Sequence, residues 1–276
     1  MTPALSIVIV SYNAAAELDA CLTSLASASR ALAIEAIVVD NASRDDGPRR
    51  VAERHPFVRF VALDRNVGFA RANNVGLRRA SAETCLLLNS DTVVPEGALE
   101  GLLAALAESP DAAVVGPRLV RPDGRPELSW GAMIAPFAEA RRKSLLWCLD
   151  RGEPWAVRRV AHLTSERRIV DWVSGACLLV RRVDAVAVDL LDERYFMYTE
   201  DVDFCASIRA SGRLVVFDPR VSVVHKGGAS VATARAATYE AYRRSHLAFY
   251  EKHHPGWVRL LRAYLRLRGR LPAPTA

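Results

Sequence analysis

Short apolar runs alternate with longer segments of helical spacing over residues 5–116, and this alternation constrains the fold more than any other sequence feature. The runs are rich in β-branched residues and end in polar turns, which predicts buried strands. The predicted strands span 5–10, 36–40, 58–62, 84–88 and 112–116. Helices are predicted over 14–30 and 95–108. Two more are predicted between them, one that ends at about Arg54 and one that begins at Asn66. The pattern predicts an α/β fold in which helices flank one Rossmann-like, mostly parallel sheet.

The alternation lapses after Pro117. Residues 121–168 are rich in proline and tryptophan, and we interpret them as a loop-rich insertion with one helix near 136–149, not as a separate domain. Regular structure then resumes. A turn and strand are predicted over 170–180, a helix from Asp201 to the Gly212 stop, and strands over 214–217 and 221–225.

The last predicted helix, over residues 257–268, is amphipathic and basic. One side carries the apolar residues Trp257, Leu260, Leu261, Tyr264 and Leu265, and the other carries Arg259, Arg262 and Arg266. Such a helix either lies on an anionic membrane surface or packs on the domain with a solvated basic face. The sequence leaves both interpretations open.

Composition narrows the class of protein. Hydrophobic residues make up 51% and charged residues 25%, which excludes wholesale disorder. The net charge is +6, but its excess arginines are concentrated near the end and no nucleic-acid-binding motif accompanies them, so nucleic acid is not expected as a partner. The five cysteines are scattered without a CxxC pair, which is typical of reduced thiols in a cytoplasmic protein. No apolar run approaches the roughly 20 residues of a membrane span.

Three predicted strands end in polar triplets: Ser11-Tyr12-Asn13, Asp40-Asn41-Ala42 and Asn89-Ser90-Asp91. Any one of them could cap the following helix. Because ligands bind at the carboxyl ends of parallel strands, three at one edge favour a shared site. The sequence has neither a GxGxxG turn after the first strand nor a phosphate-cradling GxxxxGK[ST] loop, which argues against a dinucleotide or NTPase site.

Three carboxylates, Glu200, Asp201 and Asp203, occur at the start of the helix predicted near residue 201. Acidic residues at a helix start are favoured by the helix dipole whatever their function. The alternative is that one of them is a general base in a mostly apolar cleft, where neighbours set its pKa.

The motifs and their order along the chain resemble those of inverting family-2 glycosyltransferases of the GT-A fold, and in particular of their rhamnosyltransferase-like branch. The matching stretches are 6–13, 38–43, 66–76, 87–91, 171–176, 195–204 and 224–228. The resemblance implies a GT-A domain over 1–254, with a nucleotide-sugar-binding half (1–118) and an acceptor-binding half (119–254) that includes the insertion 121–168. Residues 255–276 then form a basic amphipathic C-terminal helix and tail.

The resemblance also implies a donor site. Asp40 matches the acid that accepts the N3–H of the pyrimidine base, and Tyr12 and Asn13 lie under the base and ribose. Gly68 allows close backbone approach, and Arg71 supplies charge near the diphosphate, unless it forms a surface ion pair. The implied donor-binding residues are Ser11, Tyr12, Asn13, Asp40, Asn66, Gly68, Arg71, Asn89, Ser90 and Asp91.

A divalent metal, Mg²⁺ or Mn²⁺, is the implied cofactor. The family's Asp-x-Asp motif is here Asn89-Ser90-Asp91, so that Asp91 matches the metal-binding position and His225 a histidine that completes the metal shell in some relatives. Because Asn89 stands in place of the first Asp of the motif, the protein offers one carboxylate fewer to the metal, and we expect the metal to bind mainly together with the nucleotide. An imidazole ligand suits Mn²⁺ better than Mg²⁺. A satisfied structural histidine is the alternative for His225.

Asp201 matches the family's catalytic base, which deprotonates the acceptor hydroxyl in a single inverting displacement. The implied acceptor and sugar pocket comprises Trp172, Ser174, Gly175 and Glu200, with a core position as the alternative for Trp172. Asp203 is expected to orient the helix.

The resemblance implies transfer of a sugar, most plausibly L-rhamnose from dTDP-rhamnose, to a cell-envelope polysaccharide or polyprenyl-linked glycan. One alternative is that the same fold uses a UDP-hexose donor. The other is that the chain is a non-catalytic relative that binds carbohydrate or a membrane. The implied location is the cytoplasm. Peripheral attachment to the cytoplasmic face of the inner membrane is left open, and so is assembly into a homo-oligomer.

Overall fold

The computed structural model describes residues 2–29, 32–227 and 235–272. Three parts of the predictions lie outside the described residues: Arg30 at the end of the first predicted helix, Gly228 at the end of the last matching stretch, and residues 273–276 of the tail.

The strands are β1 (Leu5–Ser11), β2 (Ile34–Asp40), β3 (Val58–Ala62), β4 (Thr84–Asn89), β5 (Thr92–Val93), β6 (Ala112–Val120), β7 (Trp130–Gly131), β8 (Arg168–Val170), β9 (Trp172–Val173), β10 (Cys177–Arg181) and β11 (Leu214–His225). The helices are α1 (Ala15–Ala28), α2 (Gly47–Ala52), α3 (Phe69–Leu77), α4 (Ala98–Ala107), α5 (Pro136–Asp150), α6 (Pro154–Leu163), α7 (Arg182–Ala187), α8 (Glu200–Ala210), α9 (Arg235–His253) and α10 (Pro255–Leu267).

The main sheet has the strand order β3-β2-β1-β4-β10-β6-β11-β5, with β8 also pairing with β11. Strands β1 to β4 pair in parallel, as do β6 and β11. Strand β10 lies antiparallel between β4 and β6, and β7 pairs with β9 in a separate small sheet. The predicted α/β architecture with a mostly parallel sheet is confirmed.

Two apolar layers cover the faces of the main sheet. Along β1, Ile7 and Ile9 point to a layer that includes α1 and α4, whereas Val8 and Val10 point to a layer that includes α3, α8 and α9. Because both faces are covered, every residue of β1 is buried. This double burial explains why the strand is a continuous apolar run without polar alternation.

The insertion differs from its prediction. It contains two helices, α5 and α6, where one was predicted near 136–149. Leu149, Ala156 and Val160 form a small core between them. The second helix was missed because Pro154 was interpreted as a loop residue, whereas proline is common at the first position of a helix.

The end of the sheet also differs from its prediction. The two strands predicted over 214–217 and 221–225 form one strand, β11, with an irregularity between Asp218 and Ser222. The small strands β5 and β7 were not predicted, because two-residue strands carry no periodicity.

Helix α10 follows α9 after a break at Pro255 and lies against the domain. Leu265 is buried, and Val258 and Leu261 pack against the core layer that contains α8. Packing on the domain therefore accounts for part of the apolar side of α10. None of the described helices is long and apolar enough to cross a membrane.

Candidate active site

A cleft of about 360 Å³ opens at the carboxyl ends of β1 and β4. Its lining includes most of the residues that the sequence analysis assigned to the site. They are Tyr12, Asn66, Gly68, Asn89, Ser90, Asp91, Ser174, Gly175, Glu200, Asp201 and His225. The structure therefore brings residues after β1 and β4 together with Glu200 and Asp201 in one cleft, whereas Asp40 and Asp203 lie outside its lining.

Asp40 lies beside this cleft, at the end of β2, and lines a smaller cavity of about 200 Å³ with Arg49 and Phe60. Its Oδ1 accepts hydrogen bonds from the backbone N–H of Ser43 (3.2 Å) and from Ser43 Oγ (2.5 Å). Asn13, in the left-handed region at φ 52°, links the two loops because its N–H donates to Ser43 Oγ at 2.8 Å. The β1 and β2 loops are thus held as one unit.

Ser11 is buried at the end of β1, and its hydroxyl has no hydrogen-bond partner among the described residues. It does not line the cleft. Its backbone carbonyl accepts a hydrogen bond from the N–H of Asn41 at 2.8 Å. Ser11 therefore connects β1 to the β2 loop through its backbone.

Asn41, which the sequence analysis did not single out, organises the start of α3. Its Oδ1 accepts from the N–H of Val67 (2.9 Å), and its Nδ2 donates to Asn66 Oδ1 (2.9 Å). Asn66 Oδ1 in turn accepts from the N–H of Gly68 at 3.0 Å. A polar residue at a strand end was the only available signal, because Asn41 and Asn66 lie far apart in the sequence.

Gly68 lies in the left-handed region, at φ 88°. A Cβ at this position would lie 2.5 Å from the carbonyl oxygen of Phe196, far inside van der Waals contact. The next N–H, of Phe69, donates to the same oxygen at 2.6 Å. The glycine thus brings α3 against the loop that precedes α8. The close approach expected of Gly68 was to the donor, and it stays a prediction.

Arg71 is not among the residues that line the cleft. Its Nε donates to Glu193 Oε2 at 2.7 Å, in a partly exposed ion pair. The structure thus shows the surface ion pair that was the alternative for Arg71, and its approach to the diphosphate stays a prediction. The reason is tertiary: Glu193 is distant in sequence but lies next to α3.

Asp91 and His225 meet in the cleft, with 3.4 Å between Asp91 Oδ1 and His225 Nε2. Glu127, which was not predicted, is hydrogen-bonded to the same imidazole, with 3.0 Å between its Oε2 and His225 Nδ1. Burial opposes the charged imidazole, but Asp91 and Glu127 outweigh it and raise the pKa of His225 to about 9. Burial also acts against the Asp91 carboxylate, yet His225 lowers the pKa of Asp91 overall.

Among the described residues, no group of three or more His, Cys, Asp or Glu side chains could hold a metal ion. The available set is one carboxylate and one imidazole, with the Asn89 amide 3.4 Å from His225. Such a set fits a hard cation whose remaining ligands are oxygens of a diphosphate and water. It does not fit a tightly held ion bound by the protein alone.

Asp201 lies at the start of α8, where the backbone holds both of its carboxylate oxygens. The N–H of Gly175 donates to Oδ2 and the N–H of Val202 donates to Oδ1, each at 2.9 Å. Burial raises the pKa of Asp201, and these hydrogen bonds together with the nearby Arg142 offset only part of the rise. The result is an oriented carboxylate with a greater proton affinity than usual.

Glu200 is the buried neighbour of Asp201 in the cleft. Its Oε2 has no hydrogen-bond partner among the described residues. Burial, together with the charge of Asp201, raises the pKa of Glu200 well above its ordinary value. The shift is toward the neutral form, in which a carboxyl group can donate a hydrogen bond.

Ser174 and Gly175 form the opposite wall. Ser174 Oγ accepts a hydrogen bond from the N–H of Ala176 at 3.3 Å. A Cβ at Gly175 would lie 3.2 Å from the Cβ of Asp201. The absence of a side chain at Gly175 is thus what lets its N–H reach the Asp201 carboxylate.

Trp172 does not line the cleft. It is buried in the core, and its indole N–H donates to the carbonyl of Ala132 at 2.9 Å. The Arg142 guanidinium lies 4.5 Å from its ring centroid. This corrects the prediction of a sugar-facing aromatic, because β9 pairs with β7 and directs the indole into the protein.

Asp203 points away from the cleft, into the core. It accepts hydrogen bonds from Tyr195 (3.1 Å), Lys252 (2.8 Å) and His253 (2.6 Å), which ties α8 to the end of α9. Just before α8, Tyr198 and Thr199 lie in the left-handed region at φ 70° and 73°. The strained turn they form aims Glu200 and Asp201 into the cleft.

The chain is similar to known proteins of one family. Residues 6–164 match the family model described as glycosyl transferase family 2. The chain is 31% identical to an N-acetylglucosaminyl-diphospho-decaprenol L-rhamnosyltransferase of Mycobacterium tuberculosis, over 98% of this chain and 93% of that protein. It is 24% identical to a low-salt glycan biosynthesis hexosyltransferase of Haloferax volcanii, over 74% of this chain and 61% of that protein.

Solved structures show the same fold. A mannosyltransferase of Pyrobaculum calidifontis in complex with GDP-Man and Mn²⁺ superposes with a TM-score of 0.61 at 19% identity, over 96% of this chain and 69% of that one. S. aureus TarS in complex with UDP superposes with a TM-score of 0.58 at 17% identity, over 91% of this chain and 66% of that one. The chain therefore belongs to glycosyl transferase family 2 and is a glycosyltransferase with the GT-A fold.

Proposed function

We propose that this glycosyltransferase transfers L-rhamnose from dTDP-rhamnose to an N-acetylglucosamine carried on a polyprenyl diphosphate, an intermediate of cell-envelope polysaccharide synthesis. The transferred sugar and the acceptor correspond to the name of the mycobacterial relative, which matches nearly the whole chain, and dTDP-rhamnose is the donor that the family resemblance implies. The observation that carries the proposal is the oriented Asp201 carboxylate, which shares one cleft with Asp91 and His225. A lipid-linked acceptor makes the cytoplasmic face of the inner membrane the expected place of action.

In this proposal residues 1–118 bind the donor and residues 119–254 bind the acceptor. Asp40 accepts the N3–H of the thymine through Oδ2, because the contacts of its Oδ1 are made by Ser43. Tyr12, which is partly exposed in the cleft, covers the base. The Asn41–Asn66 pair sets the wall against which the ribose and diphosphate lie.

A divalent cation, when bound, would neutralise charge on the leaving diphosphate. Asp91 and His225 would hold it, with Asn89 beside them and Glu127 orienting the imidazole. Because the protein offers few ligands, the cation is expected to enter with the nucleotide. Mn²⁺ is the expected ion, since an imidazole takes part.

Asp201 acts as the general base. Its carboxylate takes the proton of the acceptor hydroxyl as that oxygen attacks the anomeric carbon from the face opposite the diphosphate. The carbon–oxygen bond to the diphosphate breaks in the same step, and the anomeric centre inverts. The raised pKa of Asp201 increases its proton affinity for this role. Glu200, in its neutral form, donates a hydrogen bond to a sugar hydroxyl.

The test is a transfer assay with purified protein, polyprenyl-diphosphate-linked N-acetylglucosamine, and either dTDP-rhamnose, UDP-glucose or UDP-galactose, each with Mn²⁺, Mg²⁺ or chelator. Mass spectrometry of the lipid product is expected to show added deoxyhexose only with dTDP-rhamnose and metal. Addition of hexose from a UDP-sugar would replace the proposed donor. No product from any donor would leave the proposed reaction without support.

A further inference from the structure

A cavity of about 800 Å³ lies between α5, α9 and α10, and the proposed reaction makes no use of it. We call it the three-helix cavity. Tyr242 and Tyr250 of α9 line one side, and Trp257, Leu260 and Tyr264 of α10 line the other. This is more than twice the volume of the catalytic cleft, and the groups that line it are predominantly aromatic and aliphatic.

The α10 side of the three-helix cavity is open to solvent. Trp257 is 43% exposed, Leu260 62% and Tyr264 53%, although Leu265 on the same helix is buried. Exposed apolar side chains that share one wall of a cavity indicate a binding surface for an apolar ligand. The aliphatic residues favour a hydrocarbon over a free sugar, which would need polar groups along its length.

The charges at this cavity favour an anionic group on the ligand. Its one acidic residue, Glu139, is already neutralised, because Lys143 lies 2.5 Å and His246 Nε2 2.8 Å from its carboxylate oxygens. Arg243 and Arg270 also line the cavity. Two further cations beside an apolar wall complement a ligand that combines a hydrocarbon chain with a phosphate group.

The three-helix cavity adjoins the catalytic cleft. Tyr198 lines the cleft, and its ring packs edge-to-face on Tyr242 of the cavity, with 5.9 Å between ring centroids. Ser245 of α9 donates a hydrogen bond to the carbonyl of Met197, another cleft residue, at 2.7 Å. An extended ligand that occupies both spaces would pass the Tyr198–Tyr242 pair, which lies between them.

We propose that the three-helix cavity binds the isoprenoid chain of a polyprenyl-diphosphate-linked acceptor. The diphosphate then lies beside Arg243, and the attached sugar reaches past Tyr198 to Asp201. This inference rests on the proposed function for the identity of the acceptor. It gives the exposed apolar side of α10 a specific ligand, where the helix amphipathicity alone left open a membrane surface or packing on the domain.

The experiment measures equilibrium binding of a radiolabelled long-chain polyprenyl diphosphate, which carries no sugar, to the full-length protein in detergent micelles. Leu260→Asp is expected to weaken binding about tenfold or more, because it places a charge on the apolar wall. The matched control is Leu267→Asp, on the same helix but 89% exposed and outside the cavity lining. It is expected to bind as the wild type does. Tyr264→Ser serves as a second cavity variant if Leu260→Asp does not fold.

A second comparison tests the phosphate. Arg243→Gln is expected to weaken binding of the polyprenyl diphosphate several-fold but not that of the uncharged polyprenol. Its control is Arg244→Gln, the next residue, which pairs with Glu240 and does not line the cavity. Equal effects of Arg243→Gln on the diphosphate and the alcohol would overturn the placement of the diphosphate.

The outcomes separate this inference from the proposed function. Equal lipid affinity for wild type and Leu260→Asp would overturn the cavity site. Equal weakening by Leu260→Asp and Leu267→Asp would also overturn it, because it would mean that α10 adsorbs to lipid through its whole exposed surface. If the lipid binds as expected but no rhamnose is transferred, the site stands and the proposed reaction fails.

Discussion

Asp201 and Asp203 are two residues apart on α8, but their surroundings differ in kind. Asp201 faces the cleft and is held by the backbone N–H groups of Gly175 and Val202. Asp203 is held in the core by Lys252, His253 and Tyr195. Residues two apart on a helix point to different sides, so that one sequence cluster supplies both a reactive and a structural carboxylate.

Asp201→Asn is predicted to lower kcat about a thousandfold, since the amide cannot take the acceptor proton. Donor affinity, measured by titration calorimetry with dTDP-rhamnose and Mn²⁺, is expected to stay near that of the wild type. The comparison variant is Asp203→Asn, which is expected to lower the free energy of unfolding instead. A large loss of donor affinity in Asp201→Asn would contradict its role as base.

Gly68→Ala is predicted to be more destabilising than Gly124→Ala. Both glycines have positive φ, 88° and 81°, so that each substitution introduces backbone strain of roughly 1–2 kcal/mol. Only at Gly68 would the new Cβ also meet a backbone oxygen, that of Phe196, whereas nothing lies within 4 Å at Gly124.

Urea unfolding of both glycine variants measures this difference. Gly68→Ala is also expected to weaken donor binding, because α3 must move away from the loop before α8. If the two variants lost equal free energy of unfolding, the close contact at Gly68 would not contribute to stability.

At the scale of elements, Glu139 connects the insertion to the C-terminal helices. It lies on α5 and is hydrogen-bonded or ion-paired with Lys143 of the same helix and with His246 and Tyr250 of α9. Burial acts against the carboxylate, but His246 and Lys143 outweigh it and lower the pKa of Glu139 to about 2. Glu139 thus joins the insertion to α9 through a charged group.

This shift predicts a pH dependence of stability. A carboxylate whose folded pKa of about 2 lies below the ordinary 4.5 stabilises the folded protein above that ordinary value, and the contribution is lost as the pH falls from 4.5 toward 2. Glu139→Gln should therefore lower the free energy of unfolding by about 2 kcal/mol at neutral pH, and by progressively less as the pH falls below about 4.5.

Chemical denaturation of wild type and Glu139→Gln between about pH 6 and pH 3 checks the sign. The control is Glu240→Gln, which removes an exposed pair with Arg244 and is expected to change stability by less than about 0.5 kcal/mol. A constant difference between wild type and Glu139→Gln across this range would refute the linkage.

At the scale of the whole molecule, the site lies at an edge shared by the donor-side strands β1 and β4 and the returning strands β10 and β11. His225 at the end of β11 meets Asp91 after β4, and Gly175 before β10 meets Asp201. Strand β10 lies antiparallel beside β4, which brings the loop before it to the same edge as the end of β4. The mixed sheet therefore assembles the cleft from both parts of the chain.

The sparse ligand set predicts coupled binding of metal and nucleotide. Because the described residues offer only Asp91 and His225, Mn²⁺ alone is expected to change Tm by less than about 1 °C. Saturating dTDP with Mn²⁺ is expected to raise Tm by about 5 °C, and dTDP with chelator by much less. Differential scanning fluorimetry measures all three conditions. A large shift with Mn²⁺ alone would reveal a preformed metal site.

The sequence by itself determined the alternation of strands and helices over residues 5–116, the polar triplets at the strand ends and the acidic start of α8. These features depend on local periodicity and turn chemistry, which a short window of residues contains. The same local information left α6 undetected, because its proline start also fits a loop.

Only the tertiary structure decided which side chains meet. In the structure Glu127 is hydrogen-bonded to His225, and Arg71 forms an ion pair with Glu193. Trp172 is buried, and Asp203 lies in the core while Asp201 faces the cleft. The tertiary structure also joined α5, α9 and α10 around a cavity that no local pattern indicates. Each of these contacts links elements far apart in the sequence, and packing, not residue type, determines whether a charged or aromatic side chain faces a cleft, a partner or the core.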